Sequence, residues 1–291
     1  MNEPTKQTCN LYEFLEQTGI HTQLSKIKTE RILLEVSARR YATGNFLNSH
    51  PNFRKAESEL PYRFHRLCIE MISPENKEFS NLLPQPIEII QIEELARKSF
   101  LLIEGACNNL GKRLLELQFQ FGTTIENELV VTDVIDNDNS LKDFQFRIPK
   151  QTLVFWRGSE SDKLPEISNL PGLTVEQPVI SAHKKPTYAM EELERLHTVY
   201  PEGGVIIALV GMSNGLGPIL SARTDWPVIS VCTTANEHPE DVWSNLRMPS
   251  DVPNLTVLSA KNAVLSAFNI LGEKNPAIYA YRRLAIEALD K

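Results

Sequence analysis

The sequence predicts an α/β protein whose C-terminal half is a doubly wound parallel sheet with helices on both faces, preceded by an α+β domain. After Pro149, short apolar runs alternate with helical segments, a pattern typical of parallel strands that are buried on both faces. Before Pro149, residues 115–121 alternate apolar and polar side chains, which indicates a strand with one buried face. We therefore expect two domains, over residues 1–148 and 149–291.

The N-terminal domain should mix helices with strands. Apolar residues at roughly helical spacing predict one helix around residues 11–15 and a second over residues 92–115. Strands are predicted at residues 31–36, 115–121 and 128–132, and the last two are expected to pair across a turn at Gly122.

Apolar runs predict the strands of the C-terminal sheet. These runs lie at residues 153–156, 179–180, 205–210, 228–232 and 255–258. The first crossover helix should be short, because Pro165 and Pro171 fall within it. Two helices end the chain, one over residues 263–271 and one beginning at Asn275, an N-cap followed by proline.

The loops that follow these strands predict the position of a ligand site. Parallel strands gather their carboxyl ends at one edge of a sheet, so the loops at 158–162, 181–184 and 213–215 should meet there. The small-residue loop at 211–218 is expected to open a helix, whose first backbone N–H groups can hold a small anion.

Composition excludes several classes of protein. The formal net charge is -7, and no Lys/Arg cluster is interleaved with aromatic residues, which argues against nucleic-acid binding. The chain has neither a signal-peptide pattern nor an apolar run of membrane-spanning length, so we expect a cytoplasmic protein that binds no membrane. The four cysteines form no CxxC pair, so neither a zinc site nor a disulfide framework is indicated.

Four short sequence motifs in the C-terminal half indicate one family. GSESD at 158–162, SAHK at 181–184, SNGLGP at 213–218 and DVWSNLR at 241–247 resemble the carboxylase half of the animal bifunctional AIR carboxylase/SAICAR synthetase family. This resemblance implies a three-layer α/β/α fold that carboxylates aminoimidazole ribonucleotide (AIR) to CAIR without metal, ATP or organic cofactor.

The resemblance also implies roles for individual residues. His183 would move the proton at the reacting carbon, a task that suits imidazole because its pKa lies near neutrality. Asp162 would take the ribose hydroxyls, and Lys184 would bind phosphate. The full set that it places around the substrate is Ser159, Ser161, Asp162, Ser181, Lys184, Ser213, Asn214 and Gly215.

Several positions depart from the family pattern. Met212 replaces an arginine, which removes a fixed cation from the expected pocket. Thr233 and Thr234 stand where two prolines normally follow the strand, and Arg223 brings bulk and charge to a segment of small residues. Thr187 replaces an aspartate after the histidine word. Small displacements of reacting groups cost orders of magnitude in rate, so these changes favour reduced carboxylase activity.

The N-terminal half resembles the synthetase half of the same family in two words, RRYATGNF at 39–46 and VTDVIDND at 131–138. They imply a vestigial substrate site at Arg40, Thr43, Gly44, Asp133 and Asp136. The resemblance expects an ATP-binding lobe before these words and a substrate motif between Asp138 and Pro149, and we identify neither. Gln118 and Gln120 replace a lysine and a glutamate, so we predict no ATP-dependent ligation.

The leading hypothesis is a diverged, truncated paralogue with an inactive synthetase half and a degraded carboxylase half. It would serve as a binding or scaffold protein for a purine ribonucleotide intermediate, as a homo-oligomer or in co-assembly with the full-length bifunctional enzyme. The terminal helix from Asn275 to Leu289 is suited to packing on a neighbour. One alternative is an active, cofactor-free AIR carboxylase using His183, and another is a nucleotide sensor without turnover.

Overall fold

The computed structural model describes residues 6–25, 29–56, 59–72, 86–137, 141, 144–160, 162 and 164–289. The chain divides into two compact units, one of residues 1–147 with 279–291 and one of residues 148–278. Residues 279–291, which the sequence assigns to the C-terminal domain, thus group with the first unit. The predicted α/β class is confirmed, since one sheet is antiparallel and the other is parallel.

The first unit is built on a four-stranded sheet. Its elements are α1 (Lys6–Gln17), β1 (Thr29–Tyr41), α2 (Phe46–Ser49), β2 (Arg63–Ile72), α3 (Pro86–Asn108), β3 (Glu116–Thr124) and β4 (Leu129–Ile135). The strands pair in the order β2-β1-β3-β4, all antiparallel. No described helix is both long and apolar enough to cross a bilayer.

Two expectations for this unit are wrong in detail. Gly122 lies inside β3 rather than in a turn, and a Cβ there would come within 2.8 Å of the Glu30 carbonyl oxygen in β1. The chain instead turns around Asn127, which has a φ of 66°. Helix α3 ends at Asn108, well before residue 115, because Gly111 takes a left-handed φ of 66°.

The second unit is built on a five-stranded parallel sheet. Its elements are β5 (Gln151–Arg157), β6 (Leu173–Glu176), α4 (Pro186–Val199), β7 (Gly204–Val210), α5 (Leu216–Ser221), β8 (Val228–Cys232), α6 (Trp243–Leu246), β9 (Leu255–Thr256) and α7 (Ala260–Leu271). Helix α8 (Pro276–Glu287) follows. The strand order is β6-β5-β7-β8-β9.

Alternate residues of the central strands enter two separate cores, one on each face of this sheet. In β7, Ile206 and Ala208 pack with α4 and α5 residues, whereas Ile207 and Leu209 pack with α7 residues. This division explains why the strand is continuously apolar. Every residue of β7 is buried.

The first crossover differs from its prediction. The apolar pair at 179–180 forms only an isolated bridge, from Val179 to Arg157, and the strand beside β5 is β6. Between β5 and β6, the described residues contain no helix. The prolines at 165 and 171 thus accompany an irregular connection rather than a short helix.

Candidate functional site

The loops at the carboxyl ends of β5, β7 and β8 lie together, as parallel pairing of these strands requires. Two residues that the sequence singles out, His183 and Gly215, lie against each other here. A Cβ on Gly215 would overlap His183 Nε2, so the imidazole occupies the space where any other residue would carry its side chain. The ring is also exposed to solvent, which leaves it accessible to a ligand.

Asn214 shapes this loop from the inside. Its side chain is buried, and its amide nitrogen donates to Ser230 Oγ at 2.9 Å. Its Oδ1 accepts from the Gly217 backbone N–H at 2.8 Å and thereby engages one of the free donors at the start of α5. Its own N–H donates to Ser244 Oγ at 3.1 Å. The side chain of Asn214 therefore fixes the loop, which limits what it can offer to a ligand.

The carboxylate of Asp162 is already engaged within the protein. Thr233 Oγ1 donates to Asp162 Oδ1 at 3.0 Å, which ties the loop after β5 to the loop after β8. Ser159 is exposed, and its backbone oxygen accepts from the Asp162 N–H at 3.4 Å. Ser161 lies outside the described residues.

The remaining predicted groups lie on the surface around His183. Ser213 and Lys184 are exposed, and Ser181 is partly buried. Met212, which has a φ of 54° and is 75% exposed, directly precedes Ser213 in the loop that follows β7. The Met212 N–H donates to Thr234 Oγ1 at 3.2 Å. The surface around His183 thus carries an exposed ammonium group at Lys184 and a neutral thioether at Met212.

A cavity of about 450 Å³ in the first unit contains part of the predicted vestigial site. Thr43 and Gly44 line it, together with Gln118 and Asn137. Arg39, whose side chain is only 5% exposed, contributes a cation to the part of the wall that the structure describes.

Arg39 is balanced by more than one negative charge. Its Nη2 lies 2.8 Å from Glu70 Oε2 and 2.9 Å from Glu116 Oε1, and its guanidinium stacks over the Phe46 ring at 4.5 Å. Among the described lining residues, two carboxylates therefore face a single arginine, with the neutral Gln118 nearby. A cavity with this balance does not favour a polyphosphate.

Arg40 takes part in a different structure. Its side chain is fully buried, with Nε and Nη2 donating to the two oxygens of Glu104 at 2.7 and 2.9 Å. Nη2 also donates to Glu287 Oε1 at 2.8 Å. Burial by itself would lower the pKa of Arg40, but the two carboxylates raise it above its ordinary value. Arg40 is a permanent cation of a buried ion cluster.

The two predicted aspartates also have local partners. Asp133 Oδ1 accepts from the Val134 N–H at 2.9 Å and from the Tyr12 hydroxyl at 3.4 Å. Asp136 Oδ2 accepts from the Leu141 N–H at 2.7 Å. In the described structure both carboxylates stabilise the end of β4 and the chain that follows it.

Several groups near the sites are not among the site residues predicted from sequence, although three of them (Arg39, Asp241 and Ser244) lie within the quoted motifs. They are Arg39, Glu70 and Glu116 in the first unit, and Asp241 and Ser244 in the second. The alternation of strand residues could have identified Arg39. Neighbouring residues of β1 face opposite sides of the sheet, so Arg39 and Arg40 cannot both line the same cavity. Within the described ranges, no three His, Cys, Asp or Glu side chains come together as a candidate metal set.

Comparison with known proteins finds a matching family model for each part of the chain. An AIR carboxylase model matches residues 158–286, and a SAICAR synthetase model matches residues 5–142. The probable multifunctional protein ADE2 of Caenorhabditis elegans is 26% identical, over 94% of this chain and 80% of that protein. The bifunctional phosphoribosylaminoimidazole carboxylase/phosphoribosylaminoimidazole succinocarboxamide synthetase of Rattus norvegicus is 27% identical, over 96% and 81%.

The chain is a homologue of these bifunctional proteins. The alignment to the C. elegans protein spans 352 positions, more than the 291 residues of the chain, so that protein has segments without a counterpart here. Among solved structures, PurE of Treponema denticola matches with 21% identity and a TM-score of 0.41, covering 48% of this chain and 93% of that one. Residues 158–286 are called the carboxylase-like domain below, and residues 5–142 the synthetase-like domain.

Proposed function

We propose that this homologue has diverged into a protein that binds a purine ribonucleotide intermediate without turning it over, and that it acts as an oligomeric binding or scaffold protein. One observation carries the proposal. At the sheet edge His183 lies against Gly215, while the arginine position of the family is held by Met212, whose side chain is 75% exposed. We expect this site to bind a ligand, but it lacks a fixed cation that would stabilise developing negative charge.

The synthetase-like domain supports the loss of ATP-dependent ligation. Phosphoryl chemistry needs a cation on the phosphates and carboxylates on magnesium. Gln118, at the position of the family lysine, lines the cavity, and Arg39 is paired with Glu70 and Glu116. We expect no product when the chain is supplied with CAIR, aspartate, ATP and magnesium. Turnover in that mixture would overturn this part of the proposal.

An active AIR carboxylase is the second candidate, and the contact between His183 and Gly215 favours it, because the imidazole is accessible at the centre of the site. Spectrophotometric CAIR decarboxylation by wild type and His183→Asn separates the two functions. We expect both proteins to match the uncatalysed rate and AIR to raise the melting temperature of the wild type. An active wild type with a silent His183→Asn variant would replace the binding function with catalysis.

Assembly with another protein or another copy requires a surface that intramolecular contacts do not already cover. In α8, Tyr279, Arg283 and Glu287 form hydrogen bonds within their own unit, so that face of the helix is already used. Light scattering of the chain, alone and mixed with a full-length bifunctional relative, tests assembly. We expect this chain to be part of a particle larger than its own monomer in at least one sample. If this chain remains monomeric in both samples, the scaffold role is refuted.

A further inference from the structure

The two threonines that follow β8 connect the loops of the candidate site. Thr233 Oγ1 lies 3.0 Å from Asp162 Oδ1 and 3.2 Å from the carbonyl oxygen of Val210, so its single proton is offered to two acceptors. The Thr233 N–H also donates to the Val210 carbonyl oxygen at 2.7 Å. Thr233 is therefore held at the end of β7 by its backbone while its hydroxyl reaches Asp162.

Thr234 extends these connections. Its hydroxyl donates to Asp241 Oδ2 at 2.5 Å and accepts from the Met212 N–H at 3.2 Å. A Cβ on Gly211 would lie 3.1 Å from Thr234 Cγ2, so the two chain segments are already in close contact. The position of Thr233 is thus fixed from both sides.

Asp162 occupies the place in the fold where ligands of parallel sheets bind. A carboxylate beyond the carboxyl end of such a strand is suited to accept hydrogen bonds from the hydroxyls of a sugar. In this chain one oxygen of that carboxylate already accepts from Thr233. A sugar diol must compete with this internal donor before it can take both oxygens.

We propose that Thr233 determines the affinity of the site for ribose-containing ligands by occupying Asp162. This inference rests on the proposed function, because it assumes that a ribonucleotide enters the site. Replacing the hydroxyl by a methyl group frees an acceptor without changing the charge of the loop and with little change in its volume. A net hydrogen bond to a charged group that is partly open to solvent corresponds to about a three- to tenfold change in affinity.

The test is calorimetric titration of the full chain with AIR. We expect Thr233→Val to bind AIR about three- to tenfold more tightly than wild type. Thr233→Ser restores the hydroxyl and should return the affinity to the wild-type value. Thr198→Val is the matched control, since the exposed Thr198 hydroxyl donates to the Glu194 carbonyl oxygen within α4, and its affinity should equal that of wild type.

A double-mutant cycle adds a readout that a general structural effect would not produce. In an Asp162→Ala background, Thr233→Val should give no gain, because no carboxylate remains to be freed. Equal or weaker binding by Thr233→Val, or a gain that persists without Asp162, overturns the inference while the proposed function stands. If wild type and all variants fail to bind AIR, the proposed function itself is refuted.

Discussion

Replacing Glu287 by glutamine should strongly destabilise the first unit. The Glu287 carboxylate is 2% exposed and accepts from Arg40 at 2.8 Å, and from Arg97 and Arg283 at 3.1 Å each. It also accepts from the Leu67 N–H at 3.1 Å. Glutamine keeps the volume and one acceptor but removes the negative charge that three arginines share.

The magnitude follows from the burial of these partners. Removing one member of a buried ion pair costs about 3–5 kcal/mol, because the other charge stays in a poorly solvated place. Arg40 retains Glu104, and the introduced glutamine can still accept one hydrogen bond, so we expect about 3 kcal/mol. The surface pair of Glu192 with Arg195, whose side chain is 43% exposed, provides the control. Glu192→Gln should cost less than about 1 kcal/mol.

Hydrogen exchange of β1 and α3 amides is the appropriate assay, because all three tryptophans lie in the second unit and fluorescence would not report on the first. A loss of about 3 kcal/mol corresponds to roughly 100-fold faster exchange of the most protected amides. Tryptophan fluorescence then shows whether the second unit is unaffected. If the β1 and α3 amides of Glu287→Gln exchange no faster than those of wild type, the assignment of a structural role to this cluster is refuted.

The same variant should change the acid sensitivity of the protein. Burial alone would raise the pKa of Glu287, but Arg40 and Arg283 together hold it below its ordinary value. A carboxylate with a lowered pKa in the folded state stabilises the fold above its unfolded pKa of about 4.3, and this contribution is lost as pH falls through the folded pKa. The stability difference between wild type and Glu287→Gln should therefore narrow on acidification below about pH 4.

Three further predictions concern the site and a thiol. Gly215→Ala should displace the His183 ring and abolish the AIR-induced thermal shift, with little loss of stability, whereas the control variant Thr198→Val should keep the shift. Met212→Arg should strengthen AIR binding about tenfold at low salt and less at high salt, as titration at two ionic strengths would show; a salt-independent gain would contradict the charge argument. Burial raises the pKa of Cys107 to about 12, so mass spectrometry should find it unlabelled by iodoacetamide at about pH 8 until the chain unfolds, and rapid native labelling would refute its burial.

The sequence predicted those parts of the fold that depend on local patterns. The strands β5, β7 and β8 coincide with apolar runs, because residues buried on both faces must be apolar. It was less successful at the edge of the sheet, where the apolar pair at 179–180 forms only a bridge. An edge strand such as β6 buries fewer residues, so its pattern is weak.

The contrast is sharpest at the two adjacent arginines of β1. The sequence motif singles out Arg40. Because strand residues alternate between the two faces of the sheet, Arg39 lines the cavity, whereas Arg40 belongs to the ion cluster. The identity of the residues was visible in the sequence, whereas the face that each occupies depends on the register of β1 against its neighbours. Register is a property of the paired sheet and not of one segment.

The sequence by itself determined the α/β class, the relationship to the bifunctional purine enzymes and the gathering of His183 and Gly215 at one sheet edge. Local periodicity, short motifs and the geometry of parallel strands suffice for these. Only the tertiary structure decided that Glu287 neutralises Arg40, 247 residues away, and that Thr233 engages Asp162. Such pairs depend on packing between segments far apart in the chain, and a polar side chain carries no sequence signal for the partner that packing will supply.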